Sequence, residues 1–468
     1  MKDVVVLLPG ISGSVLKAGD RDLWAMSAGA VGRALLDRDG AVRRLTLSEP
    51  DDPDREVLAD GIRATALMPD LHLLPGLDWR IDGYGRIDQV LRSTFDLRPG
   101  ANYFPFPYDW RRDNRVHARR LARESRRWLA AWRESSGAAD ARLVLIGHSM
   151  GGLVARYFLE CCEGWRDTRA LITFGTPYTG SVNALRFLVN GYTKKLGPLP
   201  LADLTGALRS FTSTYQLLPT FRCVDNGGPE LDRLRDLPLF PDWDAGKFAA
   251  AVSFHEEIEE AVRAHRASDY EGTGGYTIRP VVGEFQSTAQ SAAPEGGRLR
   301  VMDSWRGVDQ DGDGTVPRLS SFPKELFDSQ HNVMFANQKH GSLQNDDAVL
   351  TQVHGLLKGA EVPRNYLAGL VRVGLRVDEV HLAGEPPVLQ VRCDLEETAL
   401  SCAVADAASG RTVVRVPVVV ADGGWQGVEV PPLPAGDYRV TVGGGAGVAS
   451  VTEVFTVLGE EPALSPSG

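Results

Sequence analysis

One stretch of this chain constrains its fold more than any other. A short apolar run, Leu143-Val144-Leu145-Ile146, leads into Gly147-His148-Ser149-Met150-Gly151, and that into the helical pattern Leu153-Val154-Ala155-Arg156-Tyr157-Phe158. A chance G-x-S-x-G is common in a chain with 50 glycines, but one set between a strand and a helix is not. Where a strand turns that sharply into a helix, Gly147 and Gly151 leave room for neighbouring backbone to pass. The Ser149 hydroxyl then projects above the sheet, and the helix N-terminus behind it favours an anion formed there. The pattern predicts an α/β fold with Ser149 as a nucleophile.

The remaining periodicity agrees with that class. Val4 to Leu8 and Ala170 to Phe174 are near-continuous apolar runs, as expected of strands buried on both faces of a mostly parallel sheet. Leu121 to Trp132 and Leu153 to Cys161 repeat apolar residues at helical spacing. This alternation predicts a catalytic domain over residues 1–360. Within it, residues 181–276 mix glycines, prolines and aromatics such as Tyr192, Phe240 and Trp243 with short helices. We read that insertion as a cap over the site; a helical decoration with its own small core is the alternative. Thr277 to Gly283 resumes the sheet, a hairpin is expected within 284–305, and Asp346 to Leu357 is the final helix. Beyond Pro363 the pattern becomes all-β, which predicts a small β-sandwich over 364–459 and a frayed tail over 460–468.

Composition narrows the function classes. A net charge of −10 argues against a nucleic-acid partner. The basic run from Arg111 to Arg127 reads as a solvated helix face. No stretch approaches the roughly 18 apolar residues of a membrane span, and the apolar run at the N-terminus is too short for a signal peptide. Five cysteines with no metal-ligand spacing suit free thiols in a reducing cytoplasm, with Cys393 and Cys402 as a pair that could face each other across a hairpin. No cofactor or metal is expected.

A serine nucleophile needs a base and an orienting acid, in the chain order Ser, Asp, His for this fold. His354 lies inside the last helix, His381 in the all-β region, and His331 before the apolar strand 332–336; His340 follows that strand, where the base belongs. The polar turn Asp309-Gln310-Asp311-Gly312-Asp313-Gly314-Thr315-Val316-Pro317 supplies the acid, Asp313 first and Asp311 second. Asp309, Asp311, Asp313 and Gly314 also match the first half of a calcium loop, but Ser320 stands where that loop needs a glutamate. An oxyanion hole is expected from the amides of Met150 and of Ile11, the latter in the loop Pro9-Gly10-Ile11-Ser12-Gly13-Ser14. That loop lacks the lysine of a P-loop. Phe211, Tyr215, Leu217 and Leu218 in the insertion are expected to receive an acyl chain.

Together these motifs resemble the lecithin:cholesterol acyltransferase family of α/β-hydrolases, over roughly residues 4 to 358. The resemblance is carried by Leu7 to Ser14, Leu23-Trp24, Pro107-Tyr108-Asp109-Trp110-Arg111, Ile146 to Gly152, Thr173-Phe174-Gly175-Thr176-Pro177, Arg209 to Phe211 with Leu217 to Pro219, and Gly312 to Pro317. It implies acyl transfer from a lipid ester through an acyl-serine to water or an alcohol, with Asp313 as acid and His340 as base. A soluble-ester esterase or thioesterase is the near alternative. A scaffold that lost the chemistry, or a subunit switched by a protein partner through the β region, are rivals of other classes. Transient contact with a membrane surface is a further expectation of the lipid reading.

Overall fold

The computed structural model of the chain describes residues 1–25, 43–70, 83–196, 199–238, 240–267, 275–327, 333–357, 371–394, 398–420, 424–444 and 448–459. The expectations for His331, for the boundary at Pro363 and for the tail 460–468 lie outside these residues.

All five residues of β1 (Val4–Leu8) are buried, and a run apolar on both faces must be covered on both. β1 lies between β2 (Tyr103–Pro105) and β3 (Leu143–His148). The sheet continues through β4 (Thr168–Phe174), β5 (Thr277–Gly283) and β6 (Met334–Ala336), in the order β6-β5-β4-β3-β1-β2. Every neighbouring pair is parallel. The register sets Leu8 beside Gly147 and His148 beside Phe174, so the carboxyl ends of β1, β3 and β4 meet along one edge. Sites in open parallel sheets form at that edge. Helices over Asn114–Ser136 and Met150–Cys161 flank the sheet, the first closed by Gly137 at φ 72°.

The insertion over 181–276 holds helices Val182–Asn190, Thr205–Ser210, Thr212–Gln216 and Ala245–Ala267. Val182, Leu185, Tyr215, Leu218 and Ala251 join a separate apolar cluster with Leu299 of the hairpin Ser291–Glu295/Arg298–Met302. The C-terminal region is β-rich, with a three-stranded sheet (Val373–Val377, Val388–Cys393, Gln426–Glu429) and a five-stranded one running from Val380–Leu382 to Thr412–Val420. Leu375, Val391, Val404, Val440 and Phe455 share its core. Cys393 pairs with Val373 in the smaller sheet, while Cys402 pairs with Val416 and Val442 in the larger. They are therefore not cross-strand partners in a hairpin, and both are free thiols.

The basic run is not a solvated face throughout. Arg111 and Arg112, just before the helix, and Arg115, in its first turn, are buried, because each has a carboxylate waiting for it. Arg111 meets Asp109 at 2.6 Å and Asp60 at 2.8 Å, Arg112 meets Asp51 at 3.0 Å, and Arg115 meets Asp113 at 2.9 Å and Glu257 at 2.7 Å. Removing one partner from a buried pair leaves an uncompensated charge. Asp51→Ala, which takes the carboxylate from Arg112, should therefore cost about 3–5 kcal/mol in denaturant unfolding. A loss below about 1 kcal/mol would mean that these arginines are solvated after all.

Candidate active site

Ser149 occupies the turn between β3 and the following helix at φ 52°, ψ −124°. That backbone geometry is unfavourable for a residue with a Cβ and needs fixing from several sides. The Ser149 N–H donates to Phe174 O at 2.8 Å, and Ser149 O accepts from Gly152 N–H at 3.0 Å and Thr176 Oγ1 at 2.9 Å. A Cβ on Gly151 would stand 2.5 Å from Pro9 O, and one on Gly147 would stand 2.8 Å from the Gly152 backbone. Both positions need glycine for space.

His340, after β6, places Nε2 2.9 Å from Ser149 Oγ and Nδ1 2.7 Å from Asp313 Oδ2. Carboxylate oxygens only accept, so Nδ1 carries the proton and Nε2 is the acceptor for the serine hydroxyl. All three side chains are buried. Asp313 Oδ1 accepts the Thr315 and Val316 amides at 2.9 and 2.7 Å, and Asp313 O accepts the His340 N–H at 2.8 Å. Asp311 faces elsewhere: its Oδ1 accepts the Phe285 N–H at 2.9 Å. Asp309 Oδ1 accepts from Asp311 N–H and Gln290 Nε2. Among the described residues no cluster of His, Cys, Asp or Glu is arranged to hold a metal.

The glycine loop 9–14 lies against the elbow, with a Cβ on Gly10 falling 2.9 Å from Ser149 Cβ. Aromatic side chains hold the loop from outside. Tyr108 Oη donates to Pro9 O at 2.7 Å, Trp24 Nε1 to Ser12 O at 2.9 Å, and Trp110 Nε1 to Ser14 O at 3.1 Å. The Gly10 amide donates to Tyr84 Oη at 2.7 Å, which leaves Ile11 as the next amide along the loop.

Tyr84 and His148 escaped the sequence reading. The His148 Nε2–H donates to the His340 carbonyl at 3.0 Å, so Nδ1 accepts, at 2.9 Å, from the Tyr84 hydroxyl. Burial raises the Tyr84 phenol well above its usual range and keeps it a donor. Burial, then the neighbouring His340, lowers His148 to about 3, opposed only by its bond to the His340 carbonyl. Their rings lie 5.1 Å apart, so a charged His148 would repel the imidazolium that His340 forms on taking a proton. A G-x-S-x-G pattern contains its x residue without giving it a role, and Tyr84 is remote in sequence.

The expected acyl-receiving residues are placed differently from the site. Phe211 and Leu217 are buried in the main core, Phe211 edge-on to Trp110 at 5.6 Å. Tyr215 and Leu218 are buried in the second cluster, where they line a cavity of about 90 Å³ with Phe248 and His255. They hold the insertion together, because short helices must bury their large apolar side chains against one another. A different cavity, of about 370 Å³, is lined by Asp313 and His340.

Native His148 binds its proton only near pH 3, whereas an unfolded imidazole titrates near 6.5. Between those values the unfolded chain holds more protons, so this contribution is complete above pH 6.5 and is lost as the pH falls toward 3. Thermal melts should show wild type losing more stability than His148→Gln between about pH 7.5 and about pH 5. Equal losses would mean that His148 is not held neutral.

Residues 78–229 match the family model described as lecithin:cholesterol acyltransferase. The human lysosomal phospholipase A and acyltransferase is 32% identical over 123 residues, 24% of this chain and 27% of that protein. The phosphatidylcholine-sterol acyltransferase of Gallus gallus is 32% identical over 142 residues, 30% of each chain, and that of Mus musculus 33% over 168 residues, 31% and 37%. The chain thus spans only about a third of the length of these relatives. A Bacillus licheniformis lipase in propeptide form aligns over 97% of this chain and 93% of its own at 12% identity, with a TM-score of 0.32. The match at 78–229 includes the elbow and the Pro107-Tyr108-Asp109-Trp110-Arg111 segment that holds the glycine loop, and over those residues the chain is similar to the lecithin:cholesterol acyltransferase family.

Proposed function

We propose that this protein is a serine-dependent ester hydrolase or acyltransferase acting on lipid esters through an acyl-serine intermediate. The observation that carries the reading is the continuous line from Ser149 Oγ through His340 to Asp313, at 2.9 and 2.7 Å. Ser149 Oγ attacks the ester carbonyl as its proton passes to His340 Nε2. Asp313 holds the ring and stabilises the imidazolium. The amides of Ile11 and Met150 receive the oxyanion. Collapse breaks the ester C–O bond, and the leaving alkoxide takes the proton from His340. Water or an alcohol then attacks the acyl-serine with His340 again as base, which releases the acid or a new ester and restores Ser149.

The similarity to a phospholipase A and acyltransferase and to phosphatidylcholine-sterol acyltransferases supports a lipid ester as the acyl donor. A soluble ester is the second reading, favoured by the burial of Phe211, Tyr215, Leu217 and Leu218 in packed clusters. The separate apolar cores support a division into a catalytic domain 1–360, with residues 181–276 capping it, and a β-sandwich accessory domain 364–459. Five free thiols support the cytoplasm as the compartment.

Incubation with mixed phospholipids, followed by mass spectrometry, should release fatty acid and lysolipid, and Ser149→Ala should release neither. Turnover on short dissolved esters alone would favour the second reading. Ser149→Ala and His340→Ala should each lower kcat by roughly 10⁶-fold and Asp313→Asn by about 10⁴-fold, while Asp311→Asn stays within about 10-fold. The reverse order for the two aspartates would move the acid to Asp311. Chelators should leave turnover intact; loss with EDTA and recovery with calcium would restore the metal reading of the loop from Asp309.

A further inference from the structure

Among the described residues β6 is an edge strand of three residues, paired only with β5, and the base follows it after Asn337, Gln338 and Lys339. A short edge strand is a weak anchor for a group whose position must hold to a fraction of an ångström. All three of these residues are fastened to the C-terminal β region. Asn337 Nδ2 donates to Val373 O at 3.0 Å, and its Oδ1 accepts the Val373 N–H at 3.2 Å. Gln338 Oε1 accepts the Thr452 N–H at 3.1 Å. Lys339 Nζ meets Glu453 Oε2 at 2.7 Å, with side chains only 18% and 11% exposed.

The acid is tied to the same strand. Gln286 bridges to Asp313, and its N–H donates to Gly312 O at 3.1 Å. Its side chain, 1% exposed, donates to Val373 O at 3.2 Å and accepts the Leu375 N–H at 3.4 Å. One carbonyl, that of Val373, thus receives a bond from the base side through Asn337 and one from the acid side through Gln286. The cavity beside Asp313 and His340 is walled by Leu375, Arg376 and Glu453 of the β region.

We infer that the β region is a positioning element for the acid and base: the strand Val373–Val377 staples the two loops to each other, and the Lys339–Glu453 pair sets the approach to His340. The inference rests on the reading of Ser149, His340 and Asp313 as the reacting set. Lys339 and Glu453 act through His340 and touch no reacting atom. Their loss should therefore lower kcat with little change in KM, as expected of groups that act on the base rather than on the bound substrate.

The test uses the full chain and a short soluble ester. Lys339→Glu and Glu453→Lys should each lower kcat by at least about 10-fold with KM within about 2-fold, and the charge-exchanged double variant should recover most of the loss. The rate at which a fluorophosphonate labels Ser149 should fall and recover in parallel. Lys339→Arg, which keeps the charge, should retain more than about half of wild-type kcat even if the reversals fold poorly. Single variants that melt at lower temperature but keep wild-type kcat would overturn the inference, as would a double variant no better than the singles. Wild type that neither turns over nor labels would instead overturn the reading of the triad.

Discussion

The backbone at Ser149, at φ 52° and ψ −124°, is the constraint on which the rest of the site depends. A residue with a Cβ stays in that region only when its surroundings leave no alternative. Here β4 accepts the serine amide, Thr176 donates to its carbonyl, and Pro9 O stands where a side chain on Gly151 would lie. The parallel register of β1, β3 and β4 brings those partners to one edge, so the sheet and the strained turn require each other.

Around that turn the polar groups form a connected set. The glycine loop is held by Tyr108, Trp24, Trp110 and Tyr84, and Tyr84 continues through His148 to the His340 carbonyl. Loop, elbow and base are thereby linked by side chains that do not take part in bond making. A buried network of this kind is stabilising only while every member is satisfied. Neutral His148 meets that condition with one donor and one acceptor contact, and it adds no charge beside His340.

What was legible in the sequence was what repeats locally. The fully apolar runs at Val4 to Leu8, Leu143 to Ile146 and Ala170 to Phe174 read directly as strands buried on both faces, and the setting of Ser149 between strand and helix follows from neighbouring residues. Asp313 and Asp311 are alike in spacing. They differ only in the turn, where the Thr315 and Val316 amides aim Asp313 at His340 and the Phe285 amide takes Asp311. β2 has three residues and ends on Pro105, too little for a pattern. In the insertion, aromatic content does not say which face a side chain takes, and Phe211 and Tyr215 are among the buried residues. The bonds from Gln286 and Asn337 to Val373 join polar residues far apart in the chain and leave no local trace.

If Ser149 forms a covalent acyl intermediate, rapid quenching after mixing with an activated ester will trap it. The quenched protein, digested and analysed by mass spectrometry, should carry the acyl group on the peptide containing Ser149, accumulating within the first turnover and absent from Ser149→Ala. Continued turnover by the wild type with no acyl group on that peptide, or with the group on another residue, would mean that Ser149 is not the nucleophile.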